Sequence, residues 1–210
     1  MTPPWTTADN LIALGVEGTG RPRDDRPEQI LEIAVVPLAG GRPDMSQAWE
    51  TTINPERYIA PRPWISPDLT GPLLLTAPPF DDVADDISTR VHKQILVGHN
   101  IAVDWRLLQR HLPGLEVVAL IDTARLYKHL HPKALRQSLG KLVRQYELTG
   151  QVHTLAPKRS PHRALWDAVA VALLLPALVQ KLPGGTTTLA ELERIAGVLQ
   201  PPADEWGQSS

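Results

Sequence analysis

Apolar residues fall in two rhythms along this chain, and the switches between them lay out its elements. Leu11–Val16 and Ile30–Leu38 are apolar, β-branched runs separated by a polar, turn-rich stretch, which predicts two strands of an antiparallel hairpin with a long loop. Alternation over Gln47–Ile53 predicts a third strand. The proline-rich passage from Pro55 to Pro79 reads as a long surface connection with a turn at Ser66–Gly71. Beyond it the period lengthens. Phe80, Val83, Ile87 and Val91 share one face of a helix predicted over Phe80–Lys93, led by an acidic first turn, which runs into the short buried strand Ile95–Gly98.

In the second half, helices predicted over Ile101–Leu112 and Ala124–Leu130 bracket a strand at Val117–Ile121, and Leu135–Tyr146 repeats the helical period. Strands alternating with helices imply an α/β layer arrangement. Arg163–Leu182 reads as a long apolar helix, broken or kinked near Pro176, where the amide needed by the helix is missing. Thr188 with Glu191 forms a capping box that opens a last short helix to about Ala196, and PPADEWGQSS from Pro201 reads as a loose tail. There is no internal repeat and no long low-complexity linker. The expected organisation is an N-terminal tail over 1–10, one domain over 11–182, a helical segment over 183–200 packed on it, and a flexible tail over 201–210.

Composition changes this picture in three ways. At 210 residues with 42% hydrophobic and 21% charged, the chain is long enough for one domain with a sizeable core. No run of 18 apolar residues and no basic-then-apolar amino terminus is present, which points to a soluble, cytoplasmic protein with no membrane partner. The absence of cysteine excludes disulfides and thiolate chemistry and leaves His and carboxylates as the strong metal ligands, so any metal site favours hard cations. The net charge of −2 hides a division. Residues 1–104 carry 8 Lys/Arg against 15 Asp/Glu, whereas residues 105–165 carry 11 against 3, a net of +8. A basic middle segment suits a phosphate-backbone partner, although a basic helix face is also a common solvated surface.

The stretch LIALGVEGTGRP, Leu11 to Pro22, carries the first candidate chemistry. Gly15, Gly18 and Gly20 fit neither the dinucleotide fingerprint nor the P-loop, which leaves Glu17 as a lone carboxylate at the end of a strand. Two further segments line up with it. In GHNIAVD, His99 and Asn100 follow a buried strand and Asp104 lies on the first turn of a helix; in HRALWD, His162 precedes a long helix and Asp167 lies five residues on. Five helical residues rotate by roughly 140°, so His162 and Asp167 can converge only if His162 sits on the incoming loop. Each residue also has a plainer use: Asp104 complementing a helix dipole, Asp122 capping the helix after its strand, His99 and Asn100 satisfying backbone groups, Trp166 packing. Asp24 and Asp25 read as a solvated turn rather than a replacement carboxylate.

The order of strand-borne carboxylate, HN-x-x-x-D, the IDT of Ile121–Thr123 and H-x-x-x-x-D, together with ILEIAVV (Ile30–Val36), resembles the DnaQ-like, DEDDh-type 3′–5′ exonucleases from about Leu11 to about Leu182. The resemblance implies an α/β, RNase H-like fold with a central mixed sheet, helices on both faces and the first three strands antiparallel. It implies Glu17, Asp104 and Asp167 as catalytic carboxylates that ligate Mg²⁺ or Mn²⁺, and His162 as the base that takes a proton from the attacking water. Thr19, Gly20, His99, Asn100, Arg159 and Arg163 are then the candidate substrate contacts. The implied reaction is metal-dependent release of nucleoside monophosphates from single-stranded DNA or RNA 3′ ends, or action on nucleotides. One departure stands out: where the family's first motif has Asp, this chain has Gly15, and Gly18 replaces the usual Thr. The family uses that Asp to bridge two ions, so one ion is expected, the second being weak or absent. Alternate strand residues point the same way, so Gly15→Asp is expected to rebuild the two-ion clamp. The competing expectation is an inactive module of this fold that binds nucleic acid or a protein partner.

Overall fold

The apolar runs pair as their alternation requires. In the computed structural model, which describes residues 4–20, 27–69, 71–183 and 187–199, β1 (Leu11–Gly18) pairs antiparallel with β2 (Ile30–Ala39). The two-residue β3 (Arg42–Pro43) and β4 (Trp49–Thr52) also pair antiparallel with β2. On the other side of β1, β5 (Ile95–Gly98) and β6 (Ala119–Asp122) continue the sheet in parallel, giving the order β3-β2-β1-β5-β6 with β4 on β2. Asp24, Asp25 and the tail from Pro201 lie outside the described residues.

Helices cover both faces, which is why β1 and β2 are apolar almost without interruption. The proline-rich connection holds a short 3₁₀ turn and α1 (Pro72–Leu75), and it is less superficial than its composition suggests: Ile65, Leu69 and Leu74 bury themselves against Leu31. α2 (Phe80–Val91) and α3 (Ile101–His111) pack with Ile12, Leu14, Ile33, Val35 and Leu96 on one face. On the other face, Ala13, Ala34, Val36 and Val97 meet α4 (Thr123–Leu130), α5 (Leu139–Gln145), α6 (Thr149–Leu155) and the long α7 (Ala164–Val179). Successive residues of β1 thus feed opposite cores. α7 is apolar on all sides because sheet and helices surround it.

Two expectations need correction, and one helix had none. α7 runs unbroken through Pro176: the proline forfeits one i→i−4 bond, and burial of Leu174, Leu175 and Leu178 holds the helix through it. The helix expected over Leu135–Tyr146 starts only at Leu139, since the preceding loop is tethered to the end of β5 by His99 and Asn100. α6 had no periodic signal; it is a short helix with Val152 as its buried residue. α8 (Leu189–Ala196) opens as its capping box foretells, Thr188 Oγ1 accepting from Glu191 N at 3.2 Å. Beside it, buried Trp5 donates its backbone N–H to the Thr187 carbonyl at 3.0 Å, which docks the first described residues on the domain. Among the described residues, no helix is long and apolar enough to cross a membrane.

Candidate active site

Parallel strands β1, β5 and β6 end on the same edge of the sheet, and helices α3 and α7 start there. Glu17 lies buried near the end of β1, just before a register shift that ends regular pairing with β2. Asp167 lies in the first turn of α7, and His162 sits on the turn before it, in a left-handed conformation with φ 67°. That turn is tied down by the His162 backbone N–H donating to Asp167 Oδ1 at 3.4 Å. Donor atoms of Glu17, His162 and Asp167 all come within 4.8 Å of one another, with Glu17 buried and His162 exposed. Asp104, in the first turn of α3, stands outside this group but close enough for its charge to act on Glu17.

Three carboxylates facing one another out of water cannot all ionise cheaply. Burial, then the charges of Asp167 and Asp104, push the Glu17 carboxyl up to about 10. Asp167 is raised as well, burial again being the largest cause, with its interactions with the His162 backbone and Glu17 pulling it back down. Asp104 lies well above the usual carboxylate range, through burial and then the charges of Asp167 and Asp122. Among the described residues, Arg106 offsets part of this at Asp104 while donating to Glu28 at 3.2 Å, and Arg163 is held by Glu32. A hard divalent cation would relieve this repulsion, and the oxygen-rich donor set fits such an ion.

Glu32 is the buried carboxylate beside the site that sequence reasoning passed over. It is 1% exposed, faces Glu17 across the β1–β2 ladder, and grips the start of α7 by accepting from Arg163 Nε at 3.0 Å and from the Ala164 backbone N–H at 2.7 Å. Its signal was the charge in the middle of ILEIAVV, because a carboxylate inside a doubly covered strand must be paired. This clamp corrects the expected role of Arg163 in phosphate contact, since its guanidinium is buried and bonded to Glu32. Arg159 is likewise occupied, pairing with Glu50 at 2.5 Å. With Arg106 and Arg110 on Glu28, part of the basic middle segment thus neutralises the acidic first half within the chain.

Gly15 has become part of the same packing. A Cβ placed there would lie 2.2 Å from the Ala164 carbonyl oxygen, so the backbone of α7 fills the space an Asp side chain would need. An Asp at this position therefore requires α7 and β1 to move apart before a metal clamp can form. Thr19 and Gly20 shape the turn beyond Glu17. Thr19 Oγ1 accepts from Gln29 N at 3.0 Å; Gly20, at φ 72°, lies so close to the half-exposed Trp64 that an added Cβ would meet its indole at 2.7 Å. Trp64 thus stands as an aromatic surface next to the first motif.

His99 and Asn100 are bonded to residues outside the cluster. His99 Nδ1 meets Thr123 Oγ1 at 3.0 Å and its Nε2 meets the Gln137 carbonyl at 3.0 Å, while Asn100 Oδ1 accepts from Arg136 Nε at 3.1 Å. Asp122 Oδ1 accepts from Ala124 N at 2.8 Å and Asn100 N at 3.0 Å, capping α4 and fixing the left-handed Asn100. These residues anchor the loop over 131–138, one wall of a cavity of about 590 Å³ lined by Arg125, Lys128 and Arg136.

With this geometry in place, likeness to known proteins becomes informative. The exonuclease family model RNase_T matches residues 13–175, and the chain belongs to that family, the DnaQ-like exonucleases. Escherichia coli K12 DNA polymerase III subunit epsilon is 27% identical over 193 residues, 88% of this chain and 71% of that protein. A PolC-type DNA polymerase III of Oceanobacillus iheyensis is 27% identical over 178 residues, 83% of this chain; the chain spans only 12% of that polymerase. Among solved structures, Exonuclease X in complex with 5′ overhanging duplex DNA aligns with a TM-score of 0.63 and 24% identity over 89% of this chain and 97% of that one, a likeness of fold.

Proposed function

We propose that this chain is a divalent-metal-dependent 3′–5′ exonuclease that releases nucleoside monophosphates from the 3′ ends of single-stranded DNA or RNA. The observation that carries the reading is the convergence of Glu17, His162 and Asp167 at the strand-end edge, with Asp104 beside them. Glu17 and Asp167 would hold the ion, and Asp104 would add negative charge next to it. A divalent ion bound there supplies Lewis-acid polarisation of the scissile phosphoryl group and activation of the attacking water. The water oxygen would bond to phosphorus, losing a proton to the surrounding water, as the bond from phosphorus to the 3′ oxygen breaks and that oxygen takes up a proton, leaving a free 3′ hydroxyl on the shortened strand. Trp64 beside Gly20 offers a face on which the terminal base could stack, and Arg125, Lys128 and Arg136 offer charge along a path for the strand.

The test is digestion of 5′-labelled single strands of DNA and RNA with Mn²⁺ or Mg²⁺ present. Expected is a ladder shortening from the 3′ end, with Glu17→Gln and Asp167→Asn each slowing it by about 10²-fold or more. A second reading, a binding module without catalysis, draws on the contact between Gly15 and Ala164. It takes over if single strands bind in a salt-dependent manner, with about −0.7 in logarithmic slope per phosphate, and remain intact.

A further inference from the structure

The cluster at the end of β1 has a donor set unlike an all-oxygen site. Two residues before Glu17, on the same strand face, the chain offers no donor, and the place for one is filled by the Ala164 carbonyl 2.2 Å from a would-be Cβ. α7 cannot easily withdraw, because Glu32 holds the Ala164 backbone N–H at 2.7 Å and grips Arg163 beside it. A carboxylate ligand for a second ion therefore has no route in from β1. Asp104 stands outside the tight group. What remains within 4.8 Å is one buried carboxylate, one half-buried carboxylate and one exposed imidazole.

We infer that His162 is a direct ligand, together with Glu17 and Asp167, of a single divalent transition-metal ion, so that the site takes Mn²⁺ in preference to Mg²⁺. The inference rests on the metal-dependent reading of the site, and it departs from the proton-accepting role that family resemblance gives this histidine. Three considerations carry it. Three donors about 2.1 Å from one ion stand about 3.6 Å apart when evenly spread, so a group already within 4.8 Å closes by about an ångström to share it. The two carboxylates of the tight group balance one divalent charge, and Asp104, outside that group, adds charge beside it without a place among the close donors. An imidazole nitrogen suits borderline transition ions, whereas Mg²⁺ favours oxygen ligands in near-ideal octahedral array. The His162 ring is free to turn inward: it is exposed, and among the described residues no hydrogen bond holds it.

The experiment is a Mn²⁺ titration of the full chain followed by electron paramagnetic resonance, with Mg²⁺ affinity read by competition. Expected is one Mn²⁺ per chain with spin-echo modulation from a directly bound imidazole nitrogen. In His162→Gly, a residue that tolerates the φ of 67° and brings no donor, the modulation disappears. Mn²⁺ affinity then falls by about tenfold or more, at least what the loss of a supporting group around a metal costs, while Mg²⁺ affinity changes far less. Circular dichroism verifies that the variant is folded, and His162→Asn, equally at ease at that φ, gives a second check of the nitrogen signal. Unchanged Mn²⁺ affinity without nitrogen modulation overturns the ligand role and leaves the metal-dependent reading standing. Two bound ions overturn the one-ion site, and no bound Mn²⁺ at millimolar concentration overturns both readings.

Discussion

Polar residues at the ends of β5 and β6 and those at the end of β1 lie on one edge of one sheet, yet they meet opposite fates. His99, Asn100, Asp122 and Thr123 find partners inside the chain, down to both backbone N–H groups that Asp122 accepts. Glu17, Asp104 and Asp167 face one another instead, with the arginines that follow Asp104 and precede Asp167 in sequence, Arg106 and Arg163, bonded to Glu28 and Glu32. The first set is complete and holds a loop in place. Among the described residues the second keeps a repulsion that a proton or a cation relieves, as binding centres do. Both sets come from motifs of the same apparent strength, so motif strength alone does not tell anchor from site.

Gly15→Asp breaks the comparison most severely. Forcing a Cβ to within 2.2 Å of a backbone oxygen, with a further carboxylate beside Glu17, should destabilise the fold by about 1–3 kcal/mol or more. Thermal unfolding and nuclease activity measured side by side decide it: a lower Tm with no gain in hydrolysis is expected, and a stable variant with greatly raised activity would show that α7 yields readily. Asp122→Ala probes the completed side. Losing a helix cap that also holds Asn100 should cost about 1–2 kcal/mol in denaturant titration while Mn²⁺ affinity stays nearly constant. A large loss of metal affinity with full stability would move Asp122 into the site.

The smallest effect concerns protons. Because the folded-state pKa of Glu17 lies above its unfolded value, the folded chain holds the extra proton between them, and metal-free stability must fall as pH rises across that window. Glu17→Gln removes the titrating group, so its Tm should decline less from about pH 6 to 9 and exceed the parent's by a few degrees, roughly 1 kcal/mol, at the alkaline end. Saturating Mn²⁺ should reverse the order, stabilising the parent more than the variant. Parallel pH profiles for the two metal-free proteins would mean that the cluster carries no such strain.

Much of the fold could be read locally. Strand runs at Leu11 and Ile30, the 3.6-residue period from Phe80 to Val91 and the caps at Asp122 and Thr188 depend on residues within a few positions of each other, and the structure has each of them. The rotation of five helical residues likewise required His162 to stand ahead of the helix that carries Asp167, as it does. Charge patterning was more deceptive, since the basic middle segment sends Arg106, Arg110, Arg159 and Arg163 back to glutamates of the acidic first half.

By itself, then, the sequence determined which segments become strands and helices and which residue types could gather at the strand ends, because periodicity and capping act within one element. Only the tertiary structure decided how the gathering came out. The grip of Glu32 on Arg163 and Ala164 joins positions more than a hundred residues apart, and the approach of Ala164 to Gly15 depends on the absence of a single side chain where helix crosses strand. Contacts of that kind have no period and no motif. They follow from close packing, in which the space left by one missing carboxylate is taken by the nearest backbone.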